Sequence, residues 1–88
     1  MAVLGLDVEQ VQTLSKQLNQ ESQNIQQILK TLTGALNGTQ WSGPDASAFR
    51  NDWSGSHTAA LNNVANALQQ ASAAASKNAS DQESVSNS

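Results

Sequence analysis

The sequence predicts an all-α protein: an antiparallel two-helix hairpin that dimerises into a four-helix bundle and ends in a disordered tail. Three observations predict it. Two long stretches carry apolar residues at alternating spacings of three and four. One glycine- and proline-bearing break separates them. The final dozen residues lose the apolar pattern altogether. A chain of 88 residues allows one small domain. It has no cysteine, so no disulfide staples it, and no metal-ligand cluster is recognisable. A lone hairpin of this size buries little surface, and association supplies the missing core.

The first helix is expected over about residues 7–38. Asp7 is a good N-cap and Gln10, three residues on, completes a capping box. Leu6 and Val11 are placed for a hydrophobic staple across the cap. The stripe runs Leu4, Val8, Val11, Leu18, Ile25, Leu29, Leu32, Leu36, with Ser15 and Ser22 in two of its slots. That is a seam of period 3.5. Leu14 and Ile28 widen it on one side. The opposite face is rich in glutamine and asparagine. Gly34 is an interior weakness that also leaves room for another helix to approach. Asn37 and Gly38 end the helix, with glycine suited to a left-handed closing residue.

A turn follows over 39–43, and a second helix over about 44–76. Pro44 suits the first helical position, Gly43 precedes it as a cap, and Asp45 complements the positive helix end. The second stripe reads Phe49, Trp53, His57 or Ala60, Leu61, Val64, Leu68, Ala71, Ala75. It starts bulky and ends small. Ser54-Gly55-Ser56 forms helix poorly, so a slight kink or plain continuity is expected there. From Lys77 to residue 88, serine, asparagine, glutamine and acidic residues dominate. That stretch reads as a flexible tail. The hairpin domain is therefore 1–76, with a core drawn from Val11, Leu18, Ile25, Leu29, Leu32, Leu36, Phe49, Trp53, Leu61, Val64 and Leu68, in the hairpin or its dimer.

Charge and composition exclude several function classes. Four basic residues stand against seven acidic ones, and the pI is about 4.6. Such a balance offers no footprint for nucleic acid and no attraction to an anionic membrane surface. No apolar run approaches the roughly 20 residues of a membrane span, so no stable membrane insertion is expected. The apolar stretch before Asp7 is too short for a signal peptide and lacks a basic start. No enzymatic constellation is present. His57 is the single histidine, and with Asp52 about one turn earlier it makes a poor ligand set. The serines have neither a nucleophile elbow nor partners. Catalytic residues, metal and cofactor are all expected to be none.

The distinctive patch is Trp41-Ser42-Gly43-Pro44-Asp45-Ala46 through Phe49 and Trp53. It holds all three aromatic residues within thirteen positions. Phe49 and Trp53 are expected to face the first helix. Trp41, on a tight interhelical turn, is expected to stay partly exposed as a recognition anchor.

Trp41 and Gly43, placed at a mid-chain helix turn, resemble the Trp-x-Gly motif of the WXG family. These are the early-secreted-antigen-like substrates of type VII secretion. Ala46, Phe49 and Trp53 also fall where that family tends to place a small residue and two aromatics. The resemblance covers about residues 4–76. It implies a non-enzymatic protein, cytoplasmic before export and then secreted by a signal-peptide-independent route as a folded dimer. Its partner would be itself or a related WXG-type chain, and an FtsK-like ATPase would drive export. It implies that Trp41 and Gly43 form part of the export signal, next to a partner's tail. Many members carry Tyr-x-x-x-Asp/Glu in that tail. This sequence has no tyrosine, and Lys77-x-x-x-Asp81 keeps only the acidic half, leaving Asp81 as a possible tail signal. The departure keeps open an intracellular adaptor or chaperone for a larger secreted effector. Membrane lysis is a weaker alternative, because the polar faces lack lysine and arginine.

Overall fold

The computed structural model describes residues 6–87 and is all-helical in that range. Helix α1 spans Val8–Asn37, α2 spans Pro44–Asp52, a π-helical turn spans Trp53–His57 and α3 spans Thr58–Asn87. The last three run on without a break as one bent arm. Leu4 of the expected stripe lies outside the described residues.

Asp7 caps α1 as its sequence predicts. Its Oδ1 accepts from the backbone N–H of Gln10 at 3.0 Å. At the far end, Gly38 follows the helix but closes it in right-handed conformation, with φ −84°. The left-handed closure expected there is absent, because the N–H of Gly38 simply continues the helical pattern to Gly34 O. The residue that needs glycine is Gly43, whose φ is 111° just before Pro44. Pro44 then takes the first helical position.

Cross-arm hydrogen bonds fix the direction and register of the pair. The Ser15 hydroxyl donates to Ser72 O at 2.8 Å, and the Ser72 hydroxyl donates to Ser15 O at 2.7 Å. The Ser22 hydroxyl donates to Ala65 O at 2.7 Å. Gln26 reaches Asn62, and Trp53 reaches Thr33. As numbers rise along α1 they fall along the second arm, so the arms are antiparallel. A side-chain hydroxyl can touch the facing main chain only where the helices approach closely. The small residues of the seam permit it: among the described residues Ser15, Ser22, Ala46, Ala65 and Ala79 are buried, and leucines sit half-buried beside them. The two serines that occupy heptad slots in the sequence are thus points where the side chain reaches the facing main chain.

The π turn restores a broken register. On α2 the seam passes through Ala46, Arg50 and Trp53. The next seam residue is Thr58, five positions on, and the seam then runs Leu61, Ala65, Leu68, Ser72, Ala75, Ala79, Gln82 at threes and fours. One extra residue in an α-helix would swing everything after it by about 100°. A wider turn absorbs that residue and returns α3 to the same face. The Ser54-Gly55-Ser56 stretch supplies weak helix formers where the widening occurs. Thr58 stabilises it, donating its backbone N–H and, at 2.6 Å, its hydroxyl to Trp53 O. His57 and Ala60, expected in the stripe, are accordingly exposed, and Thr58 takes that place.

The tail boundary expected at 76 is not where helix ends. Helix α3 continues to Asn87, with Ala79 buried and Gln82 half-buried in the seam. Lys77 pairs with Asp81 at 2.7 Å. A cleft lined by Leu6, Asn78, Asp81, Gln82 and Val85 shows why: this stretch packs beside the start of the chain's first arm. The composition lacks large apolar residues, but alanine at the two-helix seam needs none.

The hairpin is long and thin. It measures 65 × 17 × 15 Å with a radius of gyration of 19.4 Å, against about 12 Å for a compact chain of this length. Its accessible surface is 6294 Å², where a compact monomer of this mass exposes about 4,900 Å².

Candidate functional site: the turn end and the apolar flank

The exposed surface is two-sided. On a 3.6-residue helix, Leu14, Leu18, Ile25, Ile28 and Leu32 all fall to one side of the Ser15–Ser22 line. Leu61, Val64, Leu68, Ala71 and Ala75 fall to the corresponding side of Ala65 on α3. In an antiparallel pair those two sides adjoin, so one flank of the hairpin is apolar. Leu14, Ile28, Leu32 and Val64 stand about half exposed on it. The other flank carries amides. Gln12 and Glu83 meet across the arms there at 3.4 Å, and Gln26 and Asn62 at 3.2 Å. Of the core residues expected from the sequence, Val11, Leu18, Ile25, Leu29, Leu36, Trp53, Leu61 and Leu68 are half-buried by the hairpin alone. Leu32, Phe49 and Val64 remain exposed.

The apolar flank ends at the turn in a groove of about 300 Å³. It is lined by Leu32, Ala35, Leu36, Thr39, Phe49 and Trp53. Trp53 closes its inner side, where its Nε1–H donates to Thr33 Oγ1 at 2.9 Å. That bond satisfies the indole donor and fixes the ring against α1. Phe49 lines this groove with Leu32, Ala35 and Leu36 of the first helix, the side it is expected to face, but it is 47% exposed. It also meets Trp41, with ring centroids 5.4 Å apart and planes tilted by 55°. Trp41 itself is 42% exposed, in keeping with its position on the turn. The two rings form one aromatic plate at the tip of the hairpin.

Arg50 holds the turn beneath that plate. Its Nη1 donates to Trp41 O at 2.6 Å, and its Nη2 to Thr39 O at 3.1 Å and Leu36 O at 3.5 Å. Its guanidinium carbon lies 6.0 Å from the centre of the Trp41 ring. Sequence reasoning had no signal for this role beyond a lone arginine about two turns after the motif. Gly43 provides the sharp re-entry into α2, and its α-carbon faces open space. Asp81 lies at the other end of the molecule, held by Lys77, whose pKa is raised mainly by that hydrogen bond and also by the charge of Asp81.

Among the described residues, no cluster of three or more histidine, cysteine or carboxylate side chains could hold a metal ion. Among them, too, no helix is long and apolar enough to cross a membrane. Comparisons with protein-family models, with curated proteins and with solved structures find no match to this chain.

Proposed function

We propose that this chain is a non-enzymatic substrate of type VII secretion, exported folded as a dimer, with the Trp41–Gly43 turn as part of its export signal. The observation that carries the reading is the half-exposed Trp41 on the turn of a helical hairpin, backed by Phe49 and followed by Gly43 at positive φ. A large aromatic ring kept partly in water has no reason in the hairpin's own packing, and it suits recognition by a second protein. The dimer is supported by the apolar flank: a second copy of the hairpin laid on it forms a four-helix bundle. An FtsK-like ATPase is the machinery that would read the turn. In this reading the protein is cytoplasmic before export and leaves the cell without a signal peptide.

One observation favours a second reading, an intracellular adaptor or chaperone for a larger secreted effector. The chain has no tyrosine, and Asp81, the acidic half of a tail signal, is engaged by Lys77. The same apolar flank would then cover a helical partner of different sequence.

The test is Trp41→Ala in the source cells. The hairpin seam does not use Trp41, so helicity and association are expected to persist while the protein disappears from the medium. Secretion of the variant at the normal level overturns the export reading. Retention of the unaltered protein in the cytoplasm, bound to a larger partner, supports the adaptor.

A further inference from the structure

The inter-arm turn contains few internal ties. Thr39 returns its hydroxyl to Ala35 O at 2.7 Å and its N–H to Leu36 O at 3.2 Å. Beyond those, side-chain support for the turn comes from Arg50. The end of α1 leaves carbonyl groups without helical partners and concentrates negative partial charge there. A guanidinium is suited to such a place. It is planar, always charged, and presents several donors in a fixed fork. Arg50 spends that fork on the carbonyls of Leu36, Thr39 and Trp41. Among the described residues no carboxylate stands within ion-pair distance of it. Its aliphatic stem is half-buried in the α2 seam, one turn before Trp53.

We propose that Arg50 is the positioning residue of the recognition turn: by gathering three carbonyls of residues 36–41 and lying under the Trp41 ring, it sets Trp41 against Phe49 before any partner arrives. In its export arm this rests on the reading of the Trp41 turn as a signal; the clamp itself does not. An ordered turn spares a partner the entropy of fixing the tryptophan on binding. A lysine at this position supplies one compact charge and reaches one carbonyl, so the substitution is not conservative here.

The experiment compares Arg50→Lys and Arg50→Gln with the unaltered full chain, labelled with ¹⁵N. Helicity and the Trp53 indole resonance report the body of the hairpin. Amide exchange at Gly38 and Thr39 and the heteronuclear NOE of the Trp41 indole report the turn. In Arg50→Gln the body is expected to hold while the two amides exchange on the order of tenfold faster. Tenfold corresponds to about 1.4 kcal/mol, the order of one lost hydrogen bond. The Trp41 indole NOE is expected to fall, with Arg50→Lys intermediate. An unchanged turn in Arg50→Gln overturns the proposal. Collapse of the whole hairpin in both variants also overturns it, since Arg50 is then a general stabiliser. In export, Arg50→Gln is expected to lose at least tenfold. If it is secreted normally while Trp41→Ala is not, the positioning role fails and the signal stands. If Trp41→Ala is itself secreted, the signal reading fails and the clamp is judged by the turn measurements alone.

Discussion

Replacing Ser22 by leucine fills one of the two gaps in the apolar pattern of α1 on paper and is expected to destabilise the protein. Ser22 is fully buried, and its hydroxyl lies 2.7 Å from the carbonyl oxygen of Ala65 on the facing arm. A carbon in the place of that hydroxyl needs about 3.5 Å from the same oxygen. The arms must therefore part by roughly 0.8 Å before the two further methyl groups of leucine are accommodated. Overpacking of this kind costs about 1–3 kcal/mol. At about 4–8 °C per kcal/mol for a domain of this size, a 2 kcal/mol loss lowers the melting midpoint by roughly 8–16 °C. Ser22→Ala is the control. It removes one hydrogen bond but leaves the Ala65 carbonyl in its own helix, so the cost stays below about 1 kcal/mol. Melting curves followed by circular dichroism decide the matter. They are taken at several protein concentrations, because association makes the midpoint concentration-dependent. A midpoint for Ser22→Leu at or above that of the unaltered protein, at every concentration, refutes the close seam.

Three further outcomes follow from the same geometry. Gly34→Ala places its methyl in open space and is expected to stabilise the helix by about 0.5–1 kcal/mol; a lowered midpoint in denaturant shows that another helix approaches this point. Deleting Gly55 removes the extra residue of the π turn and leaves four positions between Trp53 and Thr58, a normal helical step. Helicity is then expected to persist with the midpoint unchanged or raised, and its loss means that the widened turn is itself required. The Lys77–Asp81 pair is fully exposed, so Asp81→Asn is expected to leave the global midpoint alone and to fray only the end of α3. Because the pKa of Lys77 is raised in the folded chain, the pair's contribution is complete below the ordinary lysine value of about 10.5. It is lost as pH rises through the folded value. The difference in helicity between the two proteins is therefore expected to be constant from pH 6 to 9 and to vanish in more alkaline solution.

What could be read from the sequence is what depends on neighbouring residues. Asp7, Pro44 and Gly43 act within one turn of the backbone, so their roles at the helix ends follow from residue type. The period-3.5 seam of α1 is also local, and even its serines sit in the right slots. Phe49 lies against α1 as its helical position implies, but its contact with Trp41 depends on the course of the turn, which residue type alone does not give. The π turn was visible only as a weak stretch, since its purpose appears when the two halves of the arm must face the same partner. The end of α3 is not legible in composition, because low hydrophobicity does not prevent small residues from packing in a close seam. Ala79 and Gln82 pack through proximity of backbones, which composition does not register.

Size is sorted in space along this hairpin. The fully buried points of the seam carry serine and alanine, and the larger seam residues Trp53, Leu61 and Leu68 stay half-buried beside them. Leucine, isoleucine and valine are displaced onto one flank, and the aromatics onto the turn end. Two slender arms leave that flank uncovered, and their elongated shape accounts for an exposed area well above that of a compact protein of this mass. A second hairpin is the cover we propose, and antiparallel packing would carry its turn to the far end of a molecule 65 Å long. Each end of such a dimer would present one Trp41 beside the α3 terminus of the other copy. The two tips would be too far apart to touch one another, so each aromatic plate would have to be recognised by itself. In such a dimer each turn would be ordered chiefly from within its own chain, the part we give to Arg50 through its three carbonyl contacts.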